Sequence, residues 1–402
     1  MSPVRRNALL LALGLVFQSG MIQLAVALGT VTIVAVTGVE GILGLGPAVF
    51  LLAGAAAVGP AGRISDRVGR MPVIRTGFVL GIGGPAVTAA GCALESGVLV
   101  FLGLALCGAA QSIVLLSRAA AAEMFPPERR ARGMSFVLFG AVSGAIWGPL
   151  VFGPLFAHRS AAAHALAAPW AIGVPFMLAG LAIASFVRPD PKEISASYPQ
   201  TIVDTGTAAP LKEILRRPGV LAALVAVVAS FAVMASVMNL SGYVAFGRAH
   251  HQNDVFTMIS VHILGMYGLV LIVGDVIDRF GRRRALVGGL LVMTLSNTAL
   301  VWLGGVPGMS FALLGLGLGW CFSYVAATTE LVQLSLPSER GRLVGFTDVC
   351  ASLVAAGLAL LGGLVYTAAG VAALALGAAA LAALPALWLA ARPVPAPLPV
   401  AD

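Results

Sequence analysis

Apolar runs long enough to cross a bilayer follow one another along almost the whole chain, each broken by a short polar link. A spanning helix needs about 20 such residues. Twelve runs reach that length, at 8–36, 42–61, 72–92, 97–122, 133–156, 169–187, 219–243, 254–274, 285–304, 307–330, 342–366 and 370–391. They are continuously apolar rather than alternating, so they predict helices and not the strands of a barrel. Between the sixth and seventh runs lies a polar stretch holding Pro189, Pro191, Pro199, Pro210 and Pro218. It has no apolar period and reads as a linker, 188–218, between an N-terminal bundle, 1–187, and a C-terminal bundle, 219–391. The Pro-rich end, 392–402, is expected to be a disordered tail. Arg5 and Arg6 ahead of the first run imitate a secretory leader, but the apolar stretch continues for about 30 residues without a convincing cleavage site, so an uncleaved first helix is expected.

The polar links carry a repeat. Gly62, Arg63, Asp66, Arg67, Gly69 and Arg70 lie in the link after the second run. A near copy, with Gly274, Asp278, Arg279, Gly281 and Arg282, follows the eighth. A second pair, Phe125-Pro126-Pro127-Glu128-Arg129 and Leu336-Pro337-Ser338-Glu339-Arg340, recurs at nearly the same offset. Two motif pairs at one offset describe a duplicated six-span unit.

Composition agrees with the pattern. Hydrophobic residues make up 59% of the chain, charged ones 10%, and the mean hydropathy is +0.99. A soluble domain carries about 25% charged residues, so this chain cannot cover a water-facing surface. The net charge of +8 is explained by topology. With both termini in the cytoplasm, only Arg159 and Arg248 of the 24 basic residues fall outside, the expected positive-inside asymmetry. Anionic lipid headgroups then account for the basic excess, and nucleic acid has no place. Cys92, Cys107, Cys321 and Cys350 lie in or beside apolar runs without metal-type spacing and read as small core residues. Glycine pieces such as 315–319 lack the strand and the Gly-Lys-Ser/Thr of a nucleotide loop. No catalytic triad or cofactor site is visible, and enzyme function is not expected.

Six plus six spans, with Gly62, Asp66, Arg67, Gly69 and Arg70 in the link after span 2, resemble the major facilitator superfamily. The resemblance implies an all-α membrane protein: twelve transmembrane helices in two pseudo-symmetric six-helix bundles, working by alternating access as a monomer in the cell membrane. It also implies that Asp66 meets the amino end of span 11 and latches the halves. Gly62, Arg63, Arg67, Gly69, Arg70, Gly274, Asp278 and Arg279 would share that latch, while Arg282, Arg283 and Arg284 read as topology signals. Gly140, Gly144, Gly148, Pro149 and Gly153 line one face of span 5. This is similar to the antiporter motif of the drug:proton branch, though a simple packing face explains it equally. The arginine which that branch carries in span 4 is absent, since the matching position is Leu104.

Polar groups within spans are functional candidates by default. Asp348, Glu330, His262 and Arg118 are the candidates for proton coupling. A contact between Arg118 and Glu330 across the halves is one option; Arg118 reaching the headgroups is another. Gln18, Gln23, Gln111, Arg118, Asn239, Trp320, Tyr324 and Thr328 are the candidates for a substrate cavity, with ordinary helix packing as the alternative. The function expected is proton-coupled efflux of a small amphipathic or drug-like molecule. An importer of a small polar solute, by symport or facilitation, a transition-metal exporter using His262 and the methionines, and a non-transporting receptor or scaffold remain as alternatives. Small-molecule substrate, protons and membrane lipids are the expected partners.

Overall fold

Where backbone groups have no water to bond, each N–H and C=O must find its partner inside its own segment, which is why uninterrupted apolar runs become helices. The computed structural model describes residues 2–126, 129–156, 162–197, 209–248 and 250–392, and every regular element among them is helical. The helices of the first half are α1 (Pro3–Thr37), α2 (Leu45–Val68), α3 (Arg70–Ala93), α4 (Gly97–Val114), α5 (Ser117–Glu123), α6 (Arg130–Phe139), α7 (Gly144–Trp147), α8 (Gly153–Phe156) and α9 (Ala167–Ser185). Two short linker helices follow, α10 (Pro191–Ala196) and α11 (Leu211–Arg216). The second half holds α12 (Val220–Gly247), α13 (Gln252–Tyr267), α14 (Val273–Phe280), α15 (Arg282–Ala299), α16 (Val306–Gln333) and α17 (Pro337–Ala390). The tail expected to be disordered lies, from 393 onward, outside the described residues, as does Arg159.

Nine helical segments among the described residues are long and apolar enough to span. The difference from twelve has local causes. The expected spans 11 and 12 form one 54-residue element, α17, turned at Gly370, where φ is 75°. The expected span 8 stops at Tyr267 rather than 274, and a run of turns carries the chain to α14. The expected span 9 is α15, made more polar by its three leading arginines.

Two further spans are less regular than expected. Span 4 breaks between α4 and α5, where Leu116 N bonds to Ile113 O and Arg118 N to Leu115 O, three residues back instead of four. Span 5 is split into α6, a 3-10 turn, α7, a π turn at Gly148–Phe152 and α8. Pro149 and Pro154 have no N–H to continue the ladder, which loosens this stretch. The repeated links turn on matched glycines: Gly69 has φ 104° and Gly281 φ 88°. An L side chain at either place would be strained by about 1–3 kcal/mol.

In the first half α3 packs on α4 and α9, and α2 on α4; in the second, α12 packs on α17, and α16 on α13 and α15. The halves meet through three seams: α1 with α12, α2 with α17, and α13 with α7, α8 and the π turn. Each seam lies toward one face. Thr30 Oγ1, near the end of α1, donates to Asn239 O (2.8 Å), and a Cβ on Gly363 would sit 2.8 Å from Gly44 N at the start of α2. The start of α1 and the linker helix α10 lie toward the other face, where Asn7 Nδ2 donates to Pro189 O (2.9 Å). There α5, α10 and α14 pack within their own halves. Among the described residues, the contacts between the halves gather toward the far face.

Candidate functional site

The break between α4 and α5 carries Arg118 toward the second half. Its Nη2 lies 3.9 Å from Asp348 Oδ2 of α17. The two side chains are 30% and 32% exposed, a charge pair that water reaches but does not cover. Tyr324 Oη donates to Asp348 Oδ1 (3.5 Å). One turn before Tyr324, Trp320 stacks on it at 5.0 Å with the rings 19° apart. Tyr267 meets Trp320 edge-on at 5.9 Å, and Phe231 closes the far side of Tyr324 at 6.2 Å. On the first half, Gln18 Nε2 donates to Gln111 Oε1 (2.6 Å). Gln18 Oε1 and Trp320 Nε1 are buried without a hydrogen-bond partner among the described residues. A polar group left so costs about 1–3 kcal/mol.

The arrangement is therefore a cation and a carboxylate from opposite halves, floored by a flat aromatic stack. It can set a negative or hydrogen-bond-accepting group on Arg118 beside an aromatic wall.

Several expected residues stand elsewhere. Arg118 pairs with Asp348 and not with Glu330. Glu330 is 7% exposed, and the charges acting on it are those of Arg283 and Arg282. His262 is 1% exposed and its Nδ1 bonds Leu313 O (2.7 Å), so it ties α13 to α16 inside the second half. No group of three His, Cys, Asp or Glu suited to a metal occurs among the described residues. Gln23 Nε2 donates to Phe256 O (3.0 Å) and Ser260 Oγ (3.1 Å), which places it in the seam. Asn239 and Thr328 turn back on their own helices, to Ala235 O and Tyr324 O.

Three glycines of span 5, Gly144, Gly148 and Gly153, face the same seam, while Gly140 packs on α1 within its own half. A side chain at Gly140 would meet Ala12 of α1, and one at Gly144 would meet Ser19 and Ile263. At Gly148, a Cβ would stand 2.5 Å from Gln23 Nε2 and Ser260 Oγ, and 3.0 Å from Phe256 O; at Gly153 it would meet Asn253. These glycines let the halves touch on the far face. Gly148→Leu should wedge that seam open. Cysteine labelling from the far side should then rise at Ser260→Cys in the Gly148→Leu background, while insertion is retained; unchanged labelling would separate Gly148 from closure.

In the repeated link, Asp66 is 68% exposed and pairs with Arg70 (2.5 Å), not with the amino end of α17. Arg70 makes a two-pronged bond to Glu123 at 2.8 Å for each prong. Burial disfavours its charge while Glu123 and Asp66 favour it, and bidentate geometry of this kind is the strong form of the contact. Asp190 caps α3 by accepting from Arg70 N (3.0 Å) and Met71 N (2.9 Å). Arg63, Arg67 and Arg279 are exposed, and Gly62 and Gly274 have open space around them. The side chain of Asp278 lies outside the described residues. Glu123 and Asp190 were not predicted; the signal in the sequence was only their place at a span end, beside the links.

The Major Facilitator Superfamily pattern matches residues 8–271 and again 247–402. The chain is 29% identical over 371 residues to the riboflavin transporter RfnT of Brucella anthropi, covering 88% of this chain and 89% of that one. It is 26% identical to YdeG, an uncharacterized MFS-type transporter of Bacillus subtilis, over 90% and 86% of the two chains. Its fold matches the inward-open xylose transporter XylE from E. coli with a TM-score of 0.73 at 14% identity, over 96% of each chain. The same fold underlies the human organic anion transporter MFSD10, with a TM-score of 0.68 at 17% identity, over 97% of this chain and 100% of that one. The family pattern covers both halves, and the relatives it brings are transporters over most of their length: the chain belongs to the major facilitator superfamily and is a multi-pass membrane transporter.

Proposed function

We propose that this transporter is a proton symporter for a small planar aromatic solute bearing an anionic or strongly accepting group, with its linker face in the cytoplasm of the cell. The observation that carries the reading is the Arg118–Asp348 pair across the halves. Arginine stays charged at any physiological pH, so the site always offers a cation. When empty, the pair is neutral. A solute anion that takes the guanidinium leaves Asp348 without its counter-charge, and one proton on Asp348 restores neutrality. Proton and solute then ride together, because a lone charge in a closing, water-poor centre is expensive. Alternating access moves the neutral, loaded centre past the two halves.

The cluster of Trp320, Tyr324, Tyr267 and Phe231 gives the centre an aromatic wall, which suits an aromatic solute. The relative named as a riboflavin transporter points the same way, since riboflavin is a flat tricyclic with polar edges. A second reading, antiport efflux of drug-like molecules, is favoured by the glycine face of α6 to α8. Two features weigh against it. Leu104, 2% exposed, fills the position where the antiporter branch carries its arginine. Arg118 also repels a cationic drug.

Purified protein in liposomes, given radiolabelled riboflavin or flavin mononucleotide under imposed pH gradients, tests the reading. Solute should accumulate when the loading side is acid, and a protonophore should abolish the accumulation. Solute driven toward the acid side would replace symport by antiport. Accumulation blind to the gradient would leave a facilitator.

A further inference from the structure

A second pocket lies outside the central site, on the linker face of the first half. It has a volume of about 510 Å³ and sits between the end of α2, the start of α3, the end of α9 and α10. Both α3 and α9 pack against elements of the first half, so the pocket opens on the flank turned away from the second half. Four cationic side chains line it: Arg67, Arg75, Arg188 and Lys192. None of these has a carboxylate partner in ion-pair range among the described residues.

Two carboxylates share the lining, Asp190 and Glu193. Asp190 is already engaged, accepting from the backbone N–H groups of Arg70, Met71 and Lys192. Arg75 is held loosely, by three long bonds of 3.3–3.4 Å to Ala184 O, Ser185 O and Val187 O. Its guanidinium can turn to a better acceptor at small cost. The pocket therefore carries an uncompensated positive charge and mobile donors, the chemistry that holds a phosphate.

Its rim is apolar. Val68 is 57% exposed, and Phe186, next to the lining residue Val187, is 71% exposed. These residues stand where α2 and α9 end, at the level of the charged link, where acyl chains would meet headgroups. Cations in a pocket with exposed apolar residues beside them suit an amphiphile better than a free ion.

We propose that this pocket binds the headgroup of an anionic phospholipid, with its acyl chains along Val68 and Phe186. The inference is independent of the transported solute. The lipid would also bear on the repeated link. Lys192 Nζ donates to Asp66 O (2.7 Å) and Arg67 O (3.4 Å), so a phosphate beside Lys192 sits against the end of α2. Neutralising the four cations removes their mutual repulsion and firms the link against α10.

The test uses the full chain in detergent, with lipid retention read by native mass spectrometry and thermal unfolding read in parallel. The probes are phosphatidylglycerol, phosphatidylcholine and inorganic phosphate. Wild type should retain phosphatidylglycerol in preference to phosphatidylcholine and unfold at higher temperature with it. The preference should fall about fivefold for each cation removed, in Arg75→Gln and Arg188→Gln singly and together. If the double variant fails to fold, Lys192→Gln carries the same expectation. Equal phosphatidylglycerol preference in wild type and variants would overturn the site. Inorganic phosphate giving the same thermal shift as the lipid would overturn the lipid assignment.

Discussion

Arg118→Gln lowers solute transport by roughly 30-fold, while the protein still inserts and folds. Truncating one member of a fully buried, hydrogen-bonded charge pair costs about 2–5 kcal/mol. This pair is 3.9 Å apart and about one third exposed, so the lower end applies; about 2 kcal/mol corresponds to roughly 30-fold. The loss falls on the loaded state, because the guanidinium is what the solute takes from Asp348. Asp348→Asn is expected to behave differently. It mimics the protonated carboxyl, so solute exchange between two pools should persist at equal pH. Accumulation driven by a pH gradient should vanish, because nothing at that position gains or loses a proton. Counterflow and gradient-driven uptake in the same liposomes measure the two properties separately. If Asp348→Asn keeps gradient-driven accumulation, the proton travels by another residue.

The second large effect is on stability. Arg217→Ala should destabilise the protein by about 3–5 kcal/mol, through the carboxylate it strands. The Glu339 side chain is 0% exposed. It accepts from Arg217 Nη1 (2.5 Å) and Nη2 (2.8 Å), from Leu336 N (3.0 Å) and from Ala209 N (3.3 Å). Together these tie the linker to the first turn of α17. Hydrogen bonding to Glu339 holds the Arg217 guanidinium above its usual range. A cation whose folded pKa is raised gives stability that is lost only as pH climbs through that value. For arginine this lies far above working pH, so the contribution is constant there. Thermal unfolding in detergent should fall by roughly 5–10 °C for Arg217→Ala, and Arg217→Ala/Glu339→Leu should recover part of it, since an apolar pair leaves no buried charge. A double variant no better than the single would show that the ion pair itself, and not the stranded carboxylate, sets the stability.

Much of the architecture was legible in the residues. Continuous apolar runs, the duplicated link and the one-sided arginines give a two-fold helical membrane protein without any coordinates. Gly69 and Gly281 were legible as repeat partners, and the structure supplies the reason, since both turn the link at positive φ. The second motif pair was legible only as a repeat. Its chemistry, Glu339 as the anchor of the linker, needed the fold.

The polar centre was half legible. Any charge in a span is a candidate, and Arg118 and Asp348 were both named. Their pairing was not, because the break at Leu115 and Leu116 changes where the helix beyond it points. Glu330 was as good a partner on spacing alone, yet it is buried at 7% exposure and forms no ion pair among the described residues. His262 and Gln23 read as functional polar residues and are instead bonded across helices. Glu123 and Asp190 drew no notice, since an acidic residue at a span end is ordinary until its partner is known.

By itself, then, the chain's order of residues determined the elements and their number of copies, because hydrocarbon admits few ways to satisfy a backbone and hydropathy reads that constraint directly. Tertiary structure alone decided which charges meet, which glycines face a seam and toward which face the halves touch. Those depend on helix rotation, local breaks such as the π turn at Gly148, and how two halves lean together, and none of these leaves a period in the sequence.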